Sequence, residues 1–140
     1  MEITSNNFYS LGNLNSIYTL SDIDLNNDIT QVAFLFERKL LLIELNENDD
    51  TIKVNLYKKK FSKLEGMKRN KLIEKYFLEV SKYQCIWIWF LTNQQGYKDG
   101  LQLEFLIDNN HLSNDVTIQF IVVASRFKIS LVTPLTSFKT

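Results

Sequence analysis

The sequence predicts an α+β domain: a mainly antiparallel, strongly curved sheet or open barrel of about seven or eight strands in two meanders, with one main amphipathic helix at about 63–81. Three observations carry this expectation. Apolar residues fall in runs of strand length bounded by Asn, Asp and Gly. One stretch alone has strong helical spacing. Segments on either side of that stretch echo one another, Asp28-Ile29-Thr30-Gln31-Val32-Ala33-Phe34 with Asp99-Gly100-Leu101-Gln102-Leu103-Glu104-Phe105, and Ile52-Lys53-Val54-Asn55-Leu56 with Phe127-Lys128-Ile129-Ser130-Leu131. Two four-strand meanders joined by a helix would produce such an echo, and so would strand alternation alone.

The first strand is expected over residues 14–20, before an Asp/Asn-rich turn at 21–28, and is followed by strands at 29–36 and 40–45. Arg38-Lys39 has the length of a tight hairpin connection, although neither residue favours positive φ. After the turn Asn46-Glu47-Asn48-Asp49-Asp50, residues 51–57 alternate apolar and polar with period two, as a half-buried strand does. Ser62-Lys63-Leu64-Glu65 then has capping-box spacing, and Leu72, Ile73, Tyr76, Phe77 and Val80 share one helical face opposite Lys68, Lys71, Lys75 and Glu79. Gly66 would cost about 1 kcal/mol against Ala in a helix interior, which moves the ordered start toward Asn70, a good N-cap. Residues 84–91 include Trp87-Ile88-Trp89-Phe90, apolar on both faces and therefore expected to be a central strand with both tryptophans in the core. Strands at 101–105, 117–123 and 127–131 complete the set, and Pro134 ends the last.

The 140 residues, 45% hydrophobic and 13% aromatic, suit one domain over 1–140 with frayed ends at 1–10 and 134–140. This length buries enough surface to fold without a metal or a disulfide. Four glycines, one proline and eighteen aromatic residues exclude collagen-like and disordered classes. No apolar run reaches the roughly 18 residues of a membrane span, and the first seven residues lack the basic and apolar regions of a signal peptide. Cys85 stands alone, as in a protein of the reducing cytoplasm.

The formal charge of zero resolves along the chain. Residues 1–52 hold nine acids and two bases, a net −7, whereas residues 53–82 hold ten bases and three acids, a net +7. Asymmetry of this kind can steer a charged partner even when the total vanishes.

Catalytic constellations are hard to assemble from these residues. The lone histidine, His111, sits in a polar loop, and Cys85 heads a strand beside Ile86 and Trp87, where it reads as a small buried hydrophobe. No GxGxxG, GxxxxGK[ST] or CxxC occurs. The expectation is a protein that is not an enzyme and uses no cofactor or metal.

Three surface features remain. Glu44, Glu47, Asp49 and Asp50 could form an acidic patch for a basic partner or a divalent ion, or simply a solvated hairpin tip. The basic segment 58–71 could track phosphates, although Phe61 is the sole aromatic within it, or form a solvated helix face. The connection Asn93-Gln94-Gln95-Gly96-Tyr97-Lys98-Asp99-Gly100 is richer in amides than a minimal turn requires; Asn93, Gln94, Gln95, Tyr97, Lys98 and Asp99 are candidate partner-binding residues, or cap their own strand ends.

Trp87 and Trp89 followed by residues 92–105, together with Asn48-Asp49-Asp50-Thr51-Ile52, resemble a group of small bacterial single-domain proteins of unassigned function; the likeness spans roughly residues 11–133 and is specific around 92–105. In kind, a small α+β chain without catalytic signature also resembles the immunity proteins of interbacterial toxin systems, including contact-dependent growth inhibition. That resemblance implies a cytoplasmic inhibitor that binds the toxin domain made by its own cell. Immunity proteins for nucleases are often strongly acidic, and this chain is neutral overall. Two other classes stay open: a nucleic-acid-binding adaptor using the basic 58–71 segment, and a small-ligand-binding barrel with its mouth near Gln94 and Tyr97.

Overall fold

A computed structural model of the chain describes residues 11–22, 28–46, 48–58, 61–92, 94, 96, 98–107, 115–123 and 126–132. The expected fraying at 1–10 and 134–140 falls outside them.

Period-two patterning and turn residues give a first meander of β1 (Leu14–Asp22), β2 (Asp28–Phe36), β3 (Lys39–Asn46) and β4 (Thr51–Lys58). A two-residue strand, β5 (Lys68–Arg69), joins its edge beside β1, so the first sheet has the order β4-β3-β2-β1-β5. The second meander is β6 (Tyr83–Thr92), β7 (Lys98–Ile107), β8 (Val116–Val123) and β9 (Arg126–Val132), and forms a separate four-stranded sheet in that order. All the pairings are antiparallel. The eight strands expected from the sequence are present. The expected curved sheet or open barrel is instead two sheets packed face to face, and neither closes on itself. The β2–β3 connection is Glu37-Arg38, one residue earlier than expected, and the N–H groups of these residues donate to Asn13 and Leu11 carbonyls at 2.9 and 3.0 Å.

The echoed segments take equivalent places, second strand with second (β2, β7) and fourth with fourth (β4, β9). Their corresponding phenylalanines, Phe34 and Phe105, meet across the interior with ring centroids 5.5 Å apart. Around them one apolar core draws Ile17, Phe36, Leu41, Ile43 and Leu56 from the first sheet and Tyr83, Leu101, Leu103, Ile118 and Phe120 from the second. The first sheet is also covered on its other face. Ala33, Leu35, Leu40 and Leu42 pack there against Leu64, with Tyr18, Tyr57 and Met67 at the margin.

The helix expected at 63–81 is absent as one element. Its span holds a 3-10 turn at Phe61–Leu64, β5, a single helical turn α1 (Lys71–Glu74) and a second 3-10 turn at Val80–Lys82. Gly66 adopts φ +82°, a left-handed conformation that ends the first turn, and the chain then extends to pair Lys68 and Arg69 with Thr19 and Tyr18. Sheet-edge pairing thus overrides the capping-box spacing at Ser62. Asn70 does cap α1: its Oδ1 accepts from Ile73 N–H at 3.0 Å. The helix stops after one turn because the N–H groups of Tyr76 and Phe77 bond to Ile73 and Glu74 carbonyls with the tighter i→i+3 spacing. Ile73 and Phe77 enter the core, and Phe77 stacks edge-on against Tyr83 and Phe105 at 4.9 and 5.1 Å. Leu72, assigned by spacing to the same face, is 73% exposed.

Glu74 fastens this connection to the first sheet. It takes two hydrogen bonds from the Arg69 guanidinium, at 2.8 and 2.9 Å, and one from Ile17 N–H at 3.1 Å. Burial alone would raise its carboxyl; the bonds from Arg69 and Ile17 prevail and hold it below the ordinary glutamate value.

A tryptophan-bearing sheet face as candidate functional site

The largest departure from the sequence-based expectation lies on β6. This strand is an edge of the second sheet, not a central strand. Trp87 and Trp89 are 51% and 42% exposed, not part of the core. The cause is a β-bulge at Ile86: Cys85 pairs with Phe105 and Trp87 with Glu104, so two steps along β6 match one along β7. Before the bulge Tyr83 and Cys85 point inward; after it Ile88 and Phe90 pack against the core, and the tryptophans turn outward. Without the extra residue, residues 83, 85, 87 and 89 would share the inner face. The Cys85 thiol lies 3.7 Å from the Trp87 carbonyl, within hydrogen-bonding reach across the bulge, and burial pushes its pKa far up, which fits the small-hydrophobe reading of this residue.

The two indoles stack on each other, with centroids 5.8 Å apart and planes 8° from parallel. Strand register sets their surroundings. Glu104 lies directly opposite Trp87, and Gln102 directly opposite Trp89; on the next strand Thr117 and Gln119 continue these two rows. The Gln119 amide donates to Gln102 Oε1 at 3.5 Å. Asp115, just before β8, takes a hydrogen bond from the Ile107 N–H and lies near enough for its charge to act on Glu104. Burial raises the carboxyls of Glu104 and Asp115 above their ordinary values, and for Glu104 the charge of Asp115 adds to it. At the far end of the face, Gly100 lies opposite Leu91, where an added Cβ would come within 2.8 Å of the leucine Cβ.

The residues singled out by sequence are distributed as follows. Gln94 is exposed in the β6–β7 connection that follows the tryptophan strand, and Asp99, the second residue of β7, is half-buried. Asn93, Gln95, Tyr97 and the Lys98 side chain lie outside the described residues, as do Glu47 and His111. Glu44, Asp49 and Asp50 belong to the other sheet. There Asp49 Oδ1 bonds the N–H and hydroxyl of Thr51, Asp50 takes the left-handed φ of 55°, and Glu44 faces Lys53 across the strands, which is the hairpin-tip reading of this group. The acidic group and the amide-rich loop thus sit on different sheets. In the basic segment, Lys63 lies over the Tyr57 ring at 4.5 Å and Arg69 is engaged by Glu74. Sequence reasoning missed Trp87, Trp89, Gln102, Glu104 and Gln119 as a surface; the clean alternation of residues 101–105 was the available signal, since it already placed Gln102 and Glu104 outward.

A separate cleft of about 320 Å³, of mixed polar and apolar lining, opens where α1 meets β2 and β9, among Ile29, Asn70, Leu72, Ile73, Tyr76, Phe127 and Ile129. Between the sheets, Phe34 packs against both Phe105 and Phe120. No helix among the described residues is long and apolar enough to cross a membrane, and no group of three or more His, Cys, Asp or Glu among them could hold a metal.

The family model described as a family of unknown function (DUF6334) matches residues 1–136, and the chain belongs to that family. No curated protein and no solved structure matches it.

Proposed function

We propose that this member of the DUF6334 family is a protein-binding module that engages its partner through the outer face of the second sheet, and that the partner is a toxin domain which it neutralises in the cytoplasm. One observation carries the binding reading: two stacked tryptophans are held half-exposed by a bulge that costs β6 part of its ladder. Tryptophan is enriched among the few residues that dominate binding energy, and a buried position for it was one residue of register away. Gln94, exposed in the turn that follows β6, is a candidate to add to this surface, since stable interfaces bury about 1,200–2,000 Å² in total. The toxin partner rests on the resemblance in kind alone.

Co-expression with candidate toxin domains from neighbouring genes, scored by survival, tests the full reading. The wild type protects, and the Trp87→Ala/Trp89→Ala variant, folded by circular dichroism, does not. Equal protection by the variant removes the surface from the proposal. A benzophenone side chain at position 89 that cross-links to RNA in cells, and to no protein, removes the protein-binding class itself.

A further inference from the structure

The outer face of the second sheet combines aromatic surface with the Glu104 carboxylate, which has no counter-ion among the described residues. Among the described residues the ion pairs are Arg69–Glu74 and Lys82–Glu79; neither Glu104 nor Asp115 takes part in one. The neighbouring Asp115 carboxylate takes a hydrogen bond from the Ile107 N–H, and its buried Oδ1 accepts none there. A carboxylate that is partly desolvated and unpaired is a standing cost to the fold, and a cation brought by a ligand would relieve it. The cation would meet an indole at the same place, because Glu104 and Trp87 are direct cross-strand neighbours whose Cβ atoms stand about 4.5–5.5 Å apart.

We propose that this face recognises an arginine side chain on the surface of a partner protein, its guanidinium stacked on the exposed indole pair and hydrogen-bonded to the Glu104 carboxylate, with the Gln102–Gln119 amides beside it. The proposal rests on the protein-binding reading above and names the chemistry of its partner. Arginine fits better than lysine. Its planar, weakly hydrated cation stacks on aromatic faces while its fork of donors matches a carboxylate, whereas an ammonium is a compact and strongly hydrated charge. The aromatic pair and the carboxylate then act on one group, so that removing either partner weakens binding and removing the ligand's charge abolishes it.

The chain has two tryptophans, so its indole N–H signals in a nitrogen–proton correlation spectrum report this face alone. The probe is a short blocked peptide, acetyl-Gly-Arg-Gly-amide, with lysine and citrulline versions as controls; citrulline keeps the shape of arginine and lacks its charge. The expected result is saturable movement of both indole signals with the arginine peptide, weaker movement with lysine, and at least tenfold weaker binding with citrulline. Glu104→Gln lowers the arginine affinity at least tenfold while its indole signals and unfolding midpoint stay close to wild type, and raising the salt to about 0.5 M weakens wild-type binding, as screening requires. Equal response to citrulline, or unchanged affinity in Glu104→Gln, overturns cation recognition and leaves protein binding by the tryptophans standing. No response to any of the three peptides also overturns it. The cross-linking and survival outcomes above decide the protein-binding reading separately.

Discussion

Both sheets carry apolar side chains on two faces, but among the described residues only the first has both faces covered. Its inner face meets the second sheet, and its outer face, with Ala33, Leu35, Leu40 and Leu42, lies under Leu64 and Met67 of the segment that joins the meanders. On the second sheet the outer face of β6 carries Trp87 and Trp89, both half-exposed. The covered face is a second small core. The open face leaves indole area unburied beside the partly desolvated Glu104 carboxylate, an arrangement that stability alone does not favour. The difference teaches that the linker serves one sheet as a lid, and that the apolar content of the other has a use outside folding.

That contrast can be sharpened by mutation, beginning in the shared interior. Phe34→Ala removes the ring that meets both Phe105 and Phe120 and should cost about 3–5 kcal/mol in urea unfolding, whichever sheet is considered. Leu64→Ala uncovers the outer face of the first sheet and should cost about 2–3 kcal/mol, the lower part of the range for buried leucine. A loss below about 0.5 kcal/mol would break the comparison, because the first sheet would then tolerate an open face as well.

The linker's anchorage gives a smaller, pH-dependent effect. Glu74→Gln weakens the bonds from Arg69 and Ile17 and should cost about 1–2 kcal/mol at neutral pH. The folded-state carboxyl lies below its ordinary value, so its stabilising contribution is present above the unfolded value of about 4.3 and is lost as pH falls through the folded one. The difference between variant and wild type should therefore shrink on acidification, and a pH-independent difference would contradict the assigned cause. Glu104→Gln should behave in the opposite sense. Its folded carboxyl lies above the ordinary value, so the charge destabilises at neutral pH and is relieved as pH falls. The variant should melt at or slightly above the wild-type temperature at pH 7, with the gap closing in acid.

Much of this architecture was legible in the sequence. Alternation in residues 51–57 and 101–105 gave β4 and β7, the Asn/Asp turns separated the strands, and Asn70 was readable as a cap. Two things were not legible, for related reasons. A capping-box spacing and an apolar stripe describe what residues 63–81 could do alone, whereas Lys68 and Arg69 are drawn to the free edge of β1 and Gly66 turns the chain beforehand. Likewise a strand apolar on both faces reads the same whether its second face is covered, as in β2 and β3, or bare, as in β6. Only the bulge at Ile86 decides which side the tryptophans take, and a bulge leaves no periodic mark.

The most direct measurement is the urea unfolding free energy of Trp87→Ala/Trp89→Ala beside wild type. If the tryptophans stand on an open face reserved for a partner, the double variant loses no more than about 3 kcal/mol, as two half-exposed side chains do. A loss of about 5 kcal/mol or more, the scale of core tryptophan truncation, would return both indoles to the interior and contradict the open face on which the binding proposal stands.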